Sequence, residues 1–311
     1  MNRREFLAAA SALAAVSRLK ASDDVPDWGG PVADTHLHPR STVEGAYAHM
    51  QGCGVTHAVL RAQATYADQA REIQARYPHR FVWTASTDVA RPDAADVLST
   101  ALKQGAVGFG EIKSHVEADG PEISRLYALA GEAGVSIMIH FQEVPHFPTE
   151  GVFETGFKRF EAVLKAYPKT RFIGHADAFW ANVSADYKDD VDYPTGPIVR
   201  GGITDRLLGD YANLYGDLSA NSCNNALSRD PEFTRDFLAR HQDKLMFGSD
   251  CSCTDGRGAG TAQANNPHAS RLAGKCVARE TLTLLKGATS PDVFRKLAWG
   301  NAQGYFGFDQ D

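Results

Sequence analysis

Eight short apolar runs, most of them followed by an amphipathic stretch, constrain this chain more than any other feature. They cover residues 32–38, 56–62, 81–87, 106–113, 135–142, 171–177, 213–220 and 244–251. Runs of this length read as strands buried on both faces. Helix-period patterns occupy 66–77, 94–104, 123–133, 157–167, 203–211 and 231–241. Gly105 and Gly134 stand where two of these helices should stop. A last helix is expected from Pro291 to about Tyr305, with Ser290 as its N-cap. Strands alternating with helices point to a parallel sheet, because parallel neighbours need crossover connections. Eight such units predict an α/β fold of the (β/α)8 TIM-barrel kind. A chain of 311 residues accommodates it, since such barrels take about 250.

Three connections are too long to be simple turns: 143–156, 178–202 and 252 to about 270. Each follows a strand, so each belongs to the face where barrel enzymes carry out chemistry. Connections of this length are usually functional, and they are read as substrate walls and a lid. A net charge of −6 offers no basic footprint for nucleic acid or an anionic membrane. The five cysteines are Cys53, Cys223, Cys251, Cys253 and Cys276. Their odd number and irregular spacing suggest no disulfide framework. Cys251-Ser-Cys253 lacks the two-residue gap of a zinc knuckle or redox motif. The thiols are read as packing residues.

Polar residues at the ends of apolar runs carry the chemistry. Asp34-Thr-His36-Leu-His38 closes the first run. Alternate residues of a strand share a face, so His36 and His38 make a metal-binding pair with Asp34 behind them. Glu111 ends the fourth run, His140 the fifth, His175 the sixth and Asp250 the eighth. One such histidine would usually be a satisfied core residue. Four histidines and two carboxylates at C-terminal strand ends need partners, and a divalent cation partners all of them. Glu111 and Lys113 are two apart and are expected to share a face, as ligands (Lys113 only after carboxylation), as an internal salt bridge, or with Lys113 orienting substrate. Glu111 is preferred as ligand because it binds without modification. Arg40, Arg61 and Arg257 are candidates for holding a substrate carboxylate.

The N-terminus reads as a targeting segment. Asn2-Arg3-Arg4-Glu5-Phe6-Leu7 precedes an alanine-rich run to Val16. That run is too short to span a membrane, which takes roughly 20 residues. The paired arginines and Phe6 resemble a twin-arginine export signal over about residues 1–22. The resemblance implies the twin-arginine export machinery as partner, a periplasmic destination and no stable membrane insertion.

The ordered set resembles the amidohydrolase superfamily and, within it, the amidohydrolase-related branch. The matching elements are His-x-His on strand one, an acid on strand four, histidines on strands five and six, and aspartate on strand eight. Trp299-Gly-Asn301-Ala302-Gln-Gly-Tyr-Phe306-Gly307 is similar to that branch's closing helix. The resemblance covers residues 31–308, read as one domain, and implies a metal-dependent hydrolase. His36, His38 and His140 would hold the metal, and Asp250 would bind it and shuttle a proton. His175 would either bind a second metal or polarise the substrate carbonyl. A divalent metal brings the pKa of bound water to about 7, which suits attack on a lactone, ester or amide. Zinc is the first expectation, as one or two ions, with manganese, iron or cobalt as alternatives. Many members of the branch keep one metal without a bridge. The branch also contains non-oxidative decarboxylases of unsaturated or aromatic acids, which would need Arg40 or Arg61 to face the metal. A metal-binding protein without turnover is the third reading. The partner is a small molecule, and a homodimer follows only by analogy.

Overall fold

The computed structural model describes residues 25–151, 153–260 and 271–309. The segment read as an export signal lies outside them. Among the described residues, no helix is long and apolar enough to cross a membrane.

All eight strands are present: β1 Ala33–Leu37, β2 His57–Gln63, β3 Phe81–Ser86, β4 Gly108–Ile112, β5 Ser136–His140, β6 Arg171–His175, β7 Leu214–Leu218 and β8 Leu245–Phe247. They follow one another in chain order in a single sheet, every neighbouring pair parallel. β8 returns to β1. Thr35 Oγ1 donates to Phe247 O at 3.0 Å, and Asp250 N donates to His36 O at 2.8 Å. The fold is a (β/α)8 barrel.

Helices cover the outside: α1 Val43–Cys53, α2 Ala67–Arg76, α3 Ala94–Lys103, α4 Pro121–Ala133, α5 Phe160–Ala166, α6 Asp177–Ala181, α7 Ile203–Asp210, α8 Ala220–Ser228, α9 Pro231–Arg240 and α10 Val277–Ala288. Local chemistry sets their ends. Thr42 caps α1 by accepting from Gly45 N, and Gly54 at φ 74° ends it in the left-handed region, where glycine has no Cβ penalty. Asp230 caps α9 and Ser290 caps α11 (Pro291–Arg295), each with proline in the first turn. A π turn over Lys296–Gly300 joins α11 to α12, Asn301–Phe306.

The barrel interior has two layers. Residues two apart on a strand point the same way, giving the pairs Val59/Arg61, Met138/His140, Ile173/His175 and Tyr215/Asp217. The earlier members pack with Ala33, Met246, Trp299, Ala302, Phe306 and Phe308. The C-terminal helix therefore plugs the mouth where the strands begin. The later members are the polar layer at the opposite mouth.

Candidate metal centre

Strand ends bring His36, His38, Glu111, His140 and His175 together, and the turn after β8 adds Asp250. Glu111 is central. Its Oε2 lies 3.4 Å from both His36 Nε2 and His38 Nε2. Its Oε1 lies 3.4 Å from His175 Nε2 and hydrogen-bonds His140 Nδ1. One carboxylate thus faces two histidine pairs, one with each oxygen. Asp250 Oδ1 stands 3.3 Å from His38 Nε2 and 3.9 Å from His36 Nε2. Its Oδ2 is 4.0 Å from His175 Nε2.

The tautomers follow from the outer partners. Asp217 is fully buried on β7. Its Oδ2 accepts from His36 Nδ1 at 2.7 Å and from His175 Nδ1 at 3.0 Å. Both rings therefore carry their proton on Nδ1 and turn the Nε2 lone pair toward Glu111. His38 does the same by donating Nδ1–H to Arg61 O at 3.1 Å. Gln142 donates its amide to Val144 O and Glu150 Oε2, so its Oε1 accepts from His140 Nε2 at 2.8 Å. That leaves His140 Nδ1 as the inward nitrogen. Outer hydrogen bonds of this kind orient metal-ligating histidines and raise their basicity. Gly248 makes room for the arrangement. A Cβ there would meet Asp217 Oδ1 at 2.3 Å and His36 Cβ at 2.9 Å.

Sequence reading did not single out Asp217. The signal was the same as for the other residues, a charge late in an apolar strand. Asp34 is buried but serves a different end. Its carboxylate accepts from Ser249 N at 2.8 Å and His36 N at 2.9 Å, fastening β1 to the turn that carries Asp250.

The donor set fits a divalent cation. His36 Nε2 is buried and makes no hydrogen bond, a cost that a metal removes. Nitrogen and carboxylate donors suit zinc, manganese, iron or cobalt. Three overlapping donor groups are close enough to share an ion: His36, His38 and Glu111; Glu111, His140 and His175; and His36, His175 and Asp250.

Without a cation, protons supply the positive charge. Burial opposes protonation of His38, yet Asp250 and Glu111 lift its pKa to about 10. Burial likewise opposes His175, while Asp217 and Glu111 raise it to about 10. Burial would raise Glu111, but the imidazoles, His140 foremost, hold it well below the usual carboxylate range. The histidine pKa values are raised above the unfolded value of 6.5. Their stabilisation is therefore complete below 6.5 and is lost as pH climbs through about 10. Chelated protein is expected to show a urea midpoint that falls across this window. Metal-loaded protein should hold its midpoint, because metal displaces the same protons. Parallel pH profiles for the two forms would refute this account.

Above the cluster opens a cavity of about 960 Å³. His38, Glu111, His140, His175 and Asp250 line its floor; His146 and Tyr193, from the connections after β5 and β6, line its wall. Two of the three long connections thus supply cavity walls. The described part of the third, after β8, does not line the cavity beyond Asp250. Arg61 lines it too. Arg61 Nε donates to Thr35 O at 2.9 Å and Nη1 to Thr84 Oγ1 at 3.1 Å, while Nη2 is buried without a partner.

Three expectations need correction. Lys113 does not pair with Glu111; it lies 3.3 Å from Glu150 Oε1, though it does line the cavity. The β4–β5 register shifts between Phe109 and Ile112 and Lys113 falls beyond the strand, so the two-residue period no longer applies. Arg40 is outside the cavity lining because its guanidinium is spent on Cys251 O. Arg257 is exposed and also outside that lining.

The family model described as amidohydrolase matches residues 32–308. No curated protein matches the chain. Among solved structures, one is described as a probable 2-pyrone-4,6-dicarboxylic acid hydrolase from Acinetobacter baumannii with citric acid bound. It is 13% identical with a TM-score of 0.58, covering 90% of this chain and 100% of that one. An uncharacterized TIM-barrel protein from Bordetella bronchiseptica has a TM-score of 0.60 at 13% identity, covering 89% and 99%. A 2,6-dihydroxybenzoate decarboxylase from Rhizobium has a TM-score of 0.53 at 13% identity, covering 90% and 99%. At such identities these likenesses speak for the fold alone.

Proposed function

The chain belongs to the amidohydrolase family, and from that premise we propose that it hydrolyses a small lactone, ester or amide bearing a carboxylate. The observation that carries this reading is Asp250. Its carboxylate is 29% exposed to the cavity and touches the inward nitrogens of His36 and His38. A carboxylate there is placed to take a proton from an attacking water and pass it to the leaving oxygen or nitrogen.

His36 and His38 with Glu111 Oε2 form one donor set; His140 and His175 with Glu111 Oε1 form the other. When bound, divalent cations at these positions supply Lewis acidity and render water nucleophilic near neutral pH. His175 is read as a ligand, because Asp217 takes its Nδ1 proton and leaves a lone pair facing the cluster. Wild-type protein is expected to carry about two cations per chain, and Glu111→Gln about one. One cation in both would return His175 to polarising the carbonyl.

Arg61 supports the carboxylate. Its unpartnered nitrogen suits a charge-assisted hydrogen bond, and the pyrone dicarboxylate named for the Acinetobacter relative carries such groups. Arg61→Met is expected to lower kcat/KM for carboxylate-bearing lactones about 10- to 100-fold, with neutral lactones little changed. Equal losses on both would assign Arg61 to structure alone.

The same arginine favours a second reading, decarboxylation, which the Rhizobium relative's name also evokes. Panels of lactones, esters, amides and aromatic acids, assayed with and without added zinc or manganese, separate the two. Metal-dependent acid release from lactones supports hydrolysis. Carbon dioxide release alone sinks it.

A further inference from the structure

Four of the five cysteines gather on one side of Asp250, away from the histidine cluster's donor set. All five are buried and none is in a disulfide. Cys251 and Cys253 follow β8 directly, Cys276 precedes α10, and His49 lies on α1 one turn before Cys53. Cys251 Sγ is 3.3 Å from Cys253 Sγ and 3.9 Å from Cys276 Sγ. Cys253 Sγ is 3.4 Å from His49 Nδ1, which in the metal-free protein donates its proton to Cys253 O at 3.0 Å. One donor atom from each of His49, Cys251, Cys253 and Cys276 lies within 4.8 Å of all the others. Cys53 stands on the far edge of the imidazole, 3.9 Å from His49 Nε2.

We propose that His49, Cys251, Cys253 and Cys276 form a second, sulfur-rich site that holds zinc and clips the segment after β8 to α1. The spacing supports a tetrahedral ion. Zinc bonds of about 2.3 Å to sulfur and about 2.0 Å to nitrogen give donor–donor edges of roughly 3.5–3.8 Å. The sulfurs stand at non-bonded distances, well beyond the roughly 2.05 Å of a disulfide. Packing alone explains burial, since thiols behave as small hydrophobes. It does not explain why three thiols and an imidazole converge from three segments, where each S–H finds mainly other weak acceptors.

The surroundings are built for the contact. Val277 N donates to Cys251 Sγ at 3.3 Å, a bond that favours a thiolate ligand. Gly52 and Gly256 let α1 and the segment after β8 approach backbone to backbone. A Cβ at Gly52 would fall 1.8 Å from Asp255 O, and one at Gly256 would fall 2.2 Å from His49 O. On binding, each thiol yields its proton to solvent, His49 gives up its bond to Cys253 O and carries the ring proton on Nε2 beside Cys53 Sγ, and the thiolates and Nδ1 take the ion. Because Cys251 adjoins Asp250, the clip also steadies the proton-transfer carboxylate. The donor set is soft where the barrel centre is nitrogen and oxygen, so the two sites differ in the metals they prefer.

Cobalt substitution reads this site without reference to turnover. Full-length protein reconstituted with cobalt under reducing conditions is expected to show sulfur-to-cobalt charge-transfer absorption in the near ultraviolet. Cys253→Ser and Cys276→Ser should each abolish that band and lower the zinc content by about one equivalent. Cys223→Ser and His38→Ala should keep it, the latter because the barrel centre contributes no sulfur. Absence of the band in wild-type protein overturns the proposal, as does a band that survives Cys276→Ser. Mass analysis showing Cys251 paired with Cys253 in protein purified without added reductant and then loaded with zinc also overturns it.

Discussion

Asp250→Asn is expected to lower kcat by about 10²- to 10⁴-fold, the usual worth of a positioned acid–base group, with cation content largely kept. His36, His38, Glu111, His140 and His175 still offer their donors in that variant. The amide fills the same space but cannot accept and return a proton. The backbone tie is independent of the side chain, since Asp250 N donates to His36 O, so the turn should persist. Metal analysis beside steady-state kinetics on the responding substrate separates the outcomes. Retained kcat would remove Asp250 from proton transfer. Loss of kcat together with most of the metal would make it chiefly a ligand.

Asp217→Asn should weaken cation binding about 10- to 100-fold while sparing kcat at saturating metal, the pattern of an outer residue that orients ligands. The carboxylate accepts from two imidazoles at once. Both bonds converge on one oxygen, Oδ2. An amide oxygen in that place is neutral and a weaker acceptor, so it holds the two Nδ1–H groups, and with them the inward Nε2 lone pairs, less firmly. Asp217 also accepts from Ser219 Oγ, so some stability is lost as well. Titration of apo protein with zinc against a competing chelator measures the affinity. An unchanged zinc titration with reduced thermal stability would reduce Asp217 to a structural part. Recovery of kcat at high metal, with far-ultraviolet circular dichroism unaltered, marks the positioning role.

The strand ends were the most legible part of this protein. Buried parallel strands need apolar residues on both faces, so they stand out from amphipathic helices, and a charge at the end of such a run demands a partner. Glu111, His140 and His175 were all readable in that way, and they stand together in the barrel mouth. Asp217 carried the same mark on β7 but was passed over, because it has no counterpart in the metal-ligand pattern. The pairing of Lys113 with Glu111 and the placement of Arg40 were misread. Strand period was extended past an irregular ladder for the first, and sequence proximity to His-x-His was taken for proximity to the cavity for the second.

The cysteines illustrate the opposite limit. Cys251 and Cys253 are two apart, but His49 and Cys276 come from distant segments, and no spacing rule joins them. Only packing α1 against the segment after β8, with glycines at the contact, brings these four donors within reach of one ion.

What the sequence determined by itself is the alternation that makes the barrel and the residue types placed at its strand ends, because both arise from local period and burial. The tertiary structure alone decided which nitrogen of each histidine faces inward, which cations reach the cavity, and where the thiols meet. Those depend on hydrogen bonds and contacts between residues far apart in the chain, such as His36 with Asp217, whose geometry exists only once the barrel has closed.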